Sequence, residues 1–353
     1  QAPNINGVAA PFLMINRNKR SLALDLKRTE GQETFRRLVP YFDVVVENFR
    51  PAVMERMNLN YANLVDIHAS LIYCSISGFG KTGPYKHRGG FDLVAQGMSG
   101  IMSFTGIPGY PPVKVGVPIT DLGAGMYAAN GIMAAYIHKL KTGQGQHIDT
   151  SLMEAGVALT PWESGVLWAT GESPGPLGSA HRMSAPYQVL QCKDKAITMG
   201  AANQANWERL CAVIDREDLI QDPRFINDPL RRENYQELAQ VLESILCEKP
   251  AAYWLDELEK AQVPSGPLYN MEEVYADPQI KARNMVVRLN HPTAGSINSI
   301  GIPVKFSETP GTIRSPAPLL GEHSKQILSE NGFAEQEITD LIDANVIETS
   351  DKN

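Results

Sequence analysis

Three groups of residues in this 353-residue chain have types and spacings that could do chemistry. The stretch Ser75 to Tyr85, "SISGFGKTGPY", holds Gly78, Gly80 and Gly83 in the G-x-G-x-x-G spacing of a dinucleotide loop. Its Gly80-Lys81-Thr82 also reproduces the tail of a phosphate-binding P-loop. Asp121 follows "VGVPIT" and precedes a run rich in glycine and alanine, the position of a helix start, where a carboxylate can cap a helix or attack an electrophile. The third group is the seven histidines and four cysteines. His68, His87, His138, His147, His181, His291 and His323 make no H-E-x-x-H or similar spacing, and Cys74, Cys192, Cys211 and Cys247 make no C-x-x-C pair. A metal enzyme is therefore not expected, and reduced thiols are the simplest reading of the cysteines.

Neither nucleotide motif survives comparison with its own requirements. A P-loop needs a glycine where Ser75 stands, and a helix opening directly after the lysine; Pro84 interrupts that helix. The dinucleotide fingerprint needs a helix beginning among its glycines and an acidic residue about 20 positions later. Neither is present, so the segment reads as a glycine-rich turn at a strand end. Asp121 keeps two readings that can hold together: an N-cap, or a carboxylate kept ionised by backbone amides and the helix dipole for use as a nucleophile.

The elements that must position these residues alternate. "RSLALDLK" (20–27) reads as a short strand and "TEGQETFRRLVPYF" (29–42) as an amphipathic helix. "DVVVENF" (43–49) has the β-branched run of a buried parallel strand. "NYANLVDIHAS" reads as a helix leading into the strand "LIYCSIS" (71–77). Strand, helix, strand, helix, strand is the order of an α/β fold with crossover connections, whose sites lie at the carboxyl ends of the strands. From Leu122 to about Leu140 a small-residue helix is expected, with Gly123, Gly125, Ala128, Ala129, Gly131, Ala134 and Ala135 able to admit another backbone. "HIDTSLMEAGVAL" reads as a strand running into a helix. Residues 160–185 loosen into a Gly, Pro and Ser-rich candidate linker; "YQVLQCKDKAITMGAA" then alternates like a hairpin turning at Lys193-Asp194.

Composition bounds the function classes. A content of 43% hydrophobic and 20% charged residues is ordinary for a globular protein, and a net charge of −7 provides no basic field for nucleic acid or an anionic membrane. Any anionic ligand must be held by local cations. No run of about 18 apolar residues and no basic-then-apolar leader is present, so a cytoplasmic protein is expected, with a removed organellar transit peptide left open.

Taken together, "NRNKRSLALDLK", "VVVENFRP", "IYCSISGFGKTGPY", "GGFD", "PITDLGAGMYA", "KTGQGQHIDTSL" and "PLLGEH" resemble, in order and from about residue 16 to 325, the family III CoA-transferases. That family includes formyl-CoA transferase, the carnitine enzymes and the α-methylacyl-CoA racemases. The resemblance implies an α/β fold with a Rossmann-like large CoA-binding domain at 1–185 and 301–353, a smaller inserted α+β domain at 186–300, and an interlocked-ring homodimer. Family members begin with some tens of residues that carry a first strand, a glycine-rich turn and a basic residue near the CoA nucleotide. This sequence opens at "QAPNINGVAAPF", past that segment.

The family's nucleophilic aspartate falls on Asp121. In the transferases it attacks a thioester to give a mixed anhydride, and the released thiolate converts this to an aspartyl-CoA thioester, with no metal required. The implied CoA contacts are Leu24, Asp25, Leu26 and Lys27, then Asn48, Phe49, Arg50 and Arg56, then Gly90 and Asp92 of "GGFD". Arg50 and Arg56 suit phosphate because a guanidinium presents several donors in a fixed fork. The racemases carry a histidine where this chain has Phe91, which weighs against proton exchange and for transfer. "GSAHRMSAPYQ" with "GAANQ" looks closest to the branch using succinyl-CoA and dicarboxylic acceptors, and His181 or Arg182 is then a candidate for the distal carboxylate. The expected partners are acyl-CoA, small carboxylic acids and a second copy of the chain. A racemase or isomerase, or a CoA-binding protein without catalysis, are the alternatives.

Overall fold

The computed structural model describes residues 3–350, whose contacts gather into two compact units. The first draws on the chain up to Asp92, on Thr120–Ala155 and on the chain from Glu272; the second comprises Leu93–Ile119 and Gly156–Met271. The fold is mixed α/β, and among the described residues no helix is long and apolar enough to cross a membrane.

The first unit is organised by three parallel strands, β1 (Val44–Glu47), β2 (Ile72–Ser77) and β3 (His147–Ser151), in the order β1-β2-β3. Val44 pairs with Ile72 and Glu47 with Ser75; Tyr73 pairs with His147 and Ser77 with Ser151, so all three strands end together on one side. The central strand is buried on both faces, with Ile72, Tyr73, Cys74 and Ser75 almost inaccessible, as a parallel strand covered by helices requires. One cover comes from α1 (Thr29–Leu38) and the chain after it: Val39, Met54, Leu59, Leu64 and Leu71 pack with Tyr73, whose hydroxyl donates to the Leu59 carbonyl at 3.1 Å. α2 (Val53–Arg56) is a single turn following β1. The long α3 (Ile119–Thr142) approaches β3 so closely that a Cβ on Gly131 would lie 3.3 Å from Ile148 Cγ2.

Two expected elements shrink for local reasons. The strand at 20–27 is reduced to Ala23–Leu24, antiparallel to Ile347–Glu348, because Asp25 Oδ1 accepts the Lys27 N–H and turns the chain into α1. The helix expected in "NYANLVDIHAS" is one turn, Tyr61–Leu64, started by Asn60, whose side chain accepts the Asn63 N–H. Asn60, Asn63 and Asp66 favour such local side-chain bonds over a continued helix. The opposite error occurs within 160–185. Pro161–Thr170 is a ten-residue helix, with Pro161 at its start and Gly171 at φ +76° at its end, so only the residues after it lack regular structure until Tyr187.

The second unit is built on an antiparallel sheet in which Tyr187–Gln191 pairs with Ala196–Gly200, and the latter with Ser265–Pro267. Cys192 N–H meets the Lys195 carbonyl across the expected Lys193-Asp194 turn. Asp194 Oδ1 accepts the Lys195 N–H and the first amide of the helix Ala251–Lys260, which holds its carboxyl below the usual range. The core gathers Trp207, Leu210, Phe225, Leu238, Leu242, Leu246 and Leu258. Arg231 lies fully buried among them. Its Nε donates to the Ala185 carbonyl, and its Nη1 donates to Phe225 O and Gln204 Oε1, while the guanidinium lies 5.3 Å from the Trp207 ring.

Arg231→Met keeps most of the apolar stem and leaves those three acceptors unsatisfied. A destabilisation of about 2–4 kcal/mol is expected, seen as a lowered urea midpoint for the second unit; an unchanged midpoint would show that the buried guanidinium holds nothing in place.

Candidate active site

The carboxyl end of β2 runs into residues 78–91, which contain no helix; Gly80 and Gly83 have φ of +87° and +76°. The segment is therefore a turn, and the nucleotide motifs that it spells have no helix to complete them. Gly78 and Gly90 meet backbone to backbone: a Cβ on either would stand 2.6 Å from the Cα of the other. This crossing returns the chain to the end of β2 and delivers Asp92. Asp92 Oδ1 accepts the Thr120 N–H at 3.0 Å and the Thr120 hydroxyl at 2.8 Å.

That bond corrects the expected place of Asp121. α3 begins at Ile119, three residues earlier than the expected Leu122, and Asp121 lies inside its first turn instead of capping it. The carboxylate that serves Thr120 near the helix start is Asp92, so Asp121 is left to face outward. First-turn amides of α3 lack intrahelical acceptors, which makes the surroundings of Asp121 electropositive. Against this, the loss of water in the cleft, and secondly the negative charge of Asp92, push the Asp121 carboxyl above the ordinary aspartate value.

Asp121 opens into a cleft of about 900 Å³ within the first unit. Asn48, Phe49, Arg50, Arg56, Gly90 and Phe91 line it as well. The Asn48–Arg50 segment leaves β1 in a fixed course: Glu47 Oε2 accepts the Phe49 N–H at 2.9 Å, and Asn48 Nδ2 donates to the Ile76 carbonyl at 2.6 Å. Phe91 is 74% exposed, a large apolar side chain bare to the cleft. The cleft thus joins guanidinium groups able to hold phosphates, apolar surface, and one carboxylate of raised pKa at a helix start.

Other residues singled out from the sequence lie elsewhere. Leu24 and Asp25 line a separate cavity of about 640 Å³ with Leu320 and the 345–348 strand region; Leu26 packs against the Tyr73 cluster and Lys27 is exposed. Asp92 holds Thr120 and does not line the cleft. His181 and Arg182 belong to the second unit, where they line a cavity of about 360 Å³ with Arg232 and Tyr235. Lys81 also stays outside the cleft, its ammonium 3.0 Å from Glu47. Sequence reasoning missed His87, Arg88 and Gly125. Gly125 had a legible signal, since it follows Asp121 by one helical turn and shares its face. For His87 and Arg88 the only signal was the local basic run before "GGFD".

Comparison with known proteins identifies the family. Residues 1–324 match the profile described as CoA-transferase family III. A succinyl-CoA:glutarate CoA-transferase from Homo sapiens is 35% identical over 347 residues, covering 98% of this chain and 79% of that protein. An acetyl-CoA:oxalate CoA-transferase from Acetobacter aceti is 38% identical over 335 residues, covering 93% and 84%. Among solved structures, a CAIB/BAIF family protein from Brucella suis superposes with a TM-score of 0.82 at 37% identity, covering 92% of this chain and 85% of its own. The chain belongs to CoA-transferase family III and is an enzyme that transfers coenzyme A.

Proposed function

We propose that this enzyme moves CoA from an acyl-CoA donor of the succinyl-CoA type to a dicarboxylic acid, with Asp121 as the nucleophile. The observation that carries the reading is the position of Asp121 at the start of α3, open to a cleft that also presents Arg50 and Arg56. Arg50 and Arg56 take the coenzyme's phosphates, with Asn48, Phe49 and Gly90 along its course. The three strands ending together beside the cleft support a Rossmann-like CoA-binding part.

The chemistry follows from a carboxylate facing a thioester. An Asp121 oxygen attacks the donor carbonyl, the C–S bond breaks, and a mixed anhydride and CoA thiolate result. The thiolate attacks Asp121 Cγ and expels the donor acid, leaving aspartyl-CoA. The acceptor carboxylate attacks Cγ, releasing the thiolate again and forming a second anhydride. The thiolate then attacks the acceptor's acyl carbon, and Asp121 leaves as a carboxylate. Each step exchanges one acyl bond for another, so the thioester's free energy is conserved through enzyme-bound species. Phe91 offers no titratable group at the position where a racemase of this family carries its histidine, which favours transfer over α-proton exchange.

The relatives' names pair CoA donors with glutarate and oxalate, which supports a dicarboxylic acceptor. Arg182, whose Nε is buried with no hydrogen-bond partner, and His181 are our candidates for holding the distal carboxylate. A homodimer is supported by α3 itself. Leu122, Met126, Met133, Ile137 and Leu140 are each at least half exposed, an apolar face of the kind that a second chain covers.

Incubation with succinyl-CoA followed by intact-mass measurement is expected to show an acyl or CoA adduct on the native chain and none on Asp121→Asn, with kcat lowered at least about a thousandfold. A native chain that never forms an adduct, or an Asp121→Asn enzyme of normal rate, would remove Asp121 from the mechanism. The raised carboxyl has a thermodynamic counterpart. Because the folded state holds this proton more tightly than the unfolded chain does, stability falls as pH rises through the interval between their pKa values. Asp121→Asn is therefore expected to melt no lower than the native enzyme at neutral pH. Only the ionised carboxylate attacks, so the acid limb of kcat/KM should lie above that of an ordinary aspartate. Asp92→Asn, which can still accept from Thr120, should move that limb to lower pH; a limb that stays put would dissociate it from Asp121. In size-exclusion chromatography with light scattering, the native chain should run as a dimer, and Ile137→Glu with Leu140→Glu should weaken it.

A further inference from the structure

Lys81 makes the central ion pair of a cluster that touches the cleft only through other residues. Its Nζ lies 3.0 Å from Glu47 Oε1 and 3.6 Å from Glu55 Oε1, and its backbone N–H donates to Asp149 Oδ2 at 2.9 Å. It therefore fastens the turn after β2 to the last residue of β1, to α2 and to β3. The Glu47 side chain is 2% exposed, and its other oxygen accepts the Phe49 N–H. A carboxylate so buried needs a paired cation, and Lys81 supplies one. Glu55, on α2, directly precedes Arg56, and Glu47 directly precedes the Asn48–Arg50 segment. The two carboxylates clamped by one ammonium thus flank both arginines of the cleft wall.

We propose that Lys81 is a positioning residue for coenzyme binding: it holds Glu47 and Glu55 so that Arg50 and Arg56 converge on the coenzyme's phosphates. The inference rests on the proposed CoA cleft and deepens it. Lys81 binds no phosphate itself, since its ammonium is committed to two carboxylates and lies outside the cleft lining. Removing that ammonium leaves Glu47 a buried, unpaired charge and releases Glu55 of α2, whose Met54 stays packed in the core. The anchor of the Phe49 amide and the placement of Arg56 are then lost together. The reacting carboxylate keeps its place, because the Asp92–Thr120 bonds beside Asp121 stand at the Gly78–Gly90 crossing and not at the Lys81 ammonium.

The test compares Lys81→Met, Lys81→Arg and Glu55→Gln in the full-length enzyme, with CoA binding followed by calorimetry and turnover followed with succinyl-CoA and with succinyl-pantetheine, a thioester lacking the phosphates. Lys81→Met should raise the CoA Kd and the succinyl-CoA KM by about tenfold, leave kcat within about twofold, and leave succinyl-pantetheine turnover as in the native enzyme. Lys81→Arg should restore most of the affinity, and Glu55→Gln, which keeps the buried pair, should show a smaller rise. Equal losses with both thioesters, or unchanged CoA affinity in Lys81→Met, would overturn the proposal. If Lys81→Met does not fold, Glu55→Gln decides: native CoA affinity in that variant overturns it. A native enzyme that binds no CoA would instead remove the reading of the cleft on which the inference rests.

Discussion

The contact on which the site depends is the crossing of two glycine backbones at the end of β2. Gly78 and Gly90 approach to a distance that any side chain would block, and this closes the 78–91 turn on itself. Because the turn closes there, Asp92 reaches Thr120, and because Asp92 serves the first turn of α3, Asp121 is free of the capping role its position suggests. A glycine pair thus decides which of two aspartates faces the cleft. The cost of ordering the long turn is shared by the Ser77 hydroxyl, which accepts the Gly80 N–H at 2.9 Å, and by the Gly78 carbonyl, which receives the Met153 N–H.

The charges around the cleft are arranged in two opposed ways. On the β1 side, Lys81 balances the buried Glu47 at 3.0 Å and only partly offsets Glu55 at 3.6 Å, so the buried carboxylate beside the arginine segment carries its own counter-charge. On the α3 side, the loss of water in the cleft, and after it the charge of Asp92, raise the Asp121 carboxyl above its ordinary value. A buried carboxylate with its own cation suits a wall for which phosphate binding is proposed. A carboxylate under electrostatic pressure suits a nucleophile, since a more basic oxygen gives up its charge to an acyl carbon more readily. The segment 75–85 contributes to both arrangements, through Lys81 on one side and Gly78 on the other, although its apparent phosphate-loop motif forms no phosphate loop.

Much of this was legible in the sequence where local pattern and tertiary need coincide. The β-branched "VVV", the run "IYCSIS" and the Lys193-Asp194 turn appear as read, because burial on two faces and turn chemistry leave short-range marks. The convergence of Asn48, Phe49, Arg50, Arg56, Gly90, Phe91 and Asp121 was implied by family resemblance and could not have come from spacing, since these residues are brought together by parallel strand pairing across long separations. The start of α3 was misplaced because its capping partner, Asp92, is 28 residues away in the chain. The turn holding Lys81 has no phosphate-loop helix, as the sequence predicts, yet the pairing of Lys81 with Glu47 left no local pattern, since one lies in the turn after β2 and the other at the end of β1.

α3 draws these features together. One side of the helix is thin, with Gly123, Ala124, Ala128 and Ala135 buried and Gly131 against Ile148. The other side carries bulky residues into solvent, Leu122 and Met126 next to Asp121 among them. Both proposed acyl intermediates hydrolyse if water reaches them, so Asp121 in the proposed role of nucleophile needs an apolar cover during turnover. Phe91 and the exposed face of α3 provide apolar surface on either side of Asp121 for such a cover to seal against. The small residues let the helix sit close enough to the sheet to bring its first turn to the strand ends, and the large ones present a surface whose burial would dry the site. On the proposed reading, association and catalysis would be coupled through one helix, because the residues that a second chain would cover begin at the position directly after Asp121.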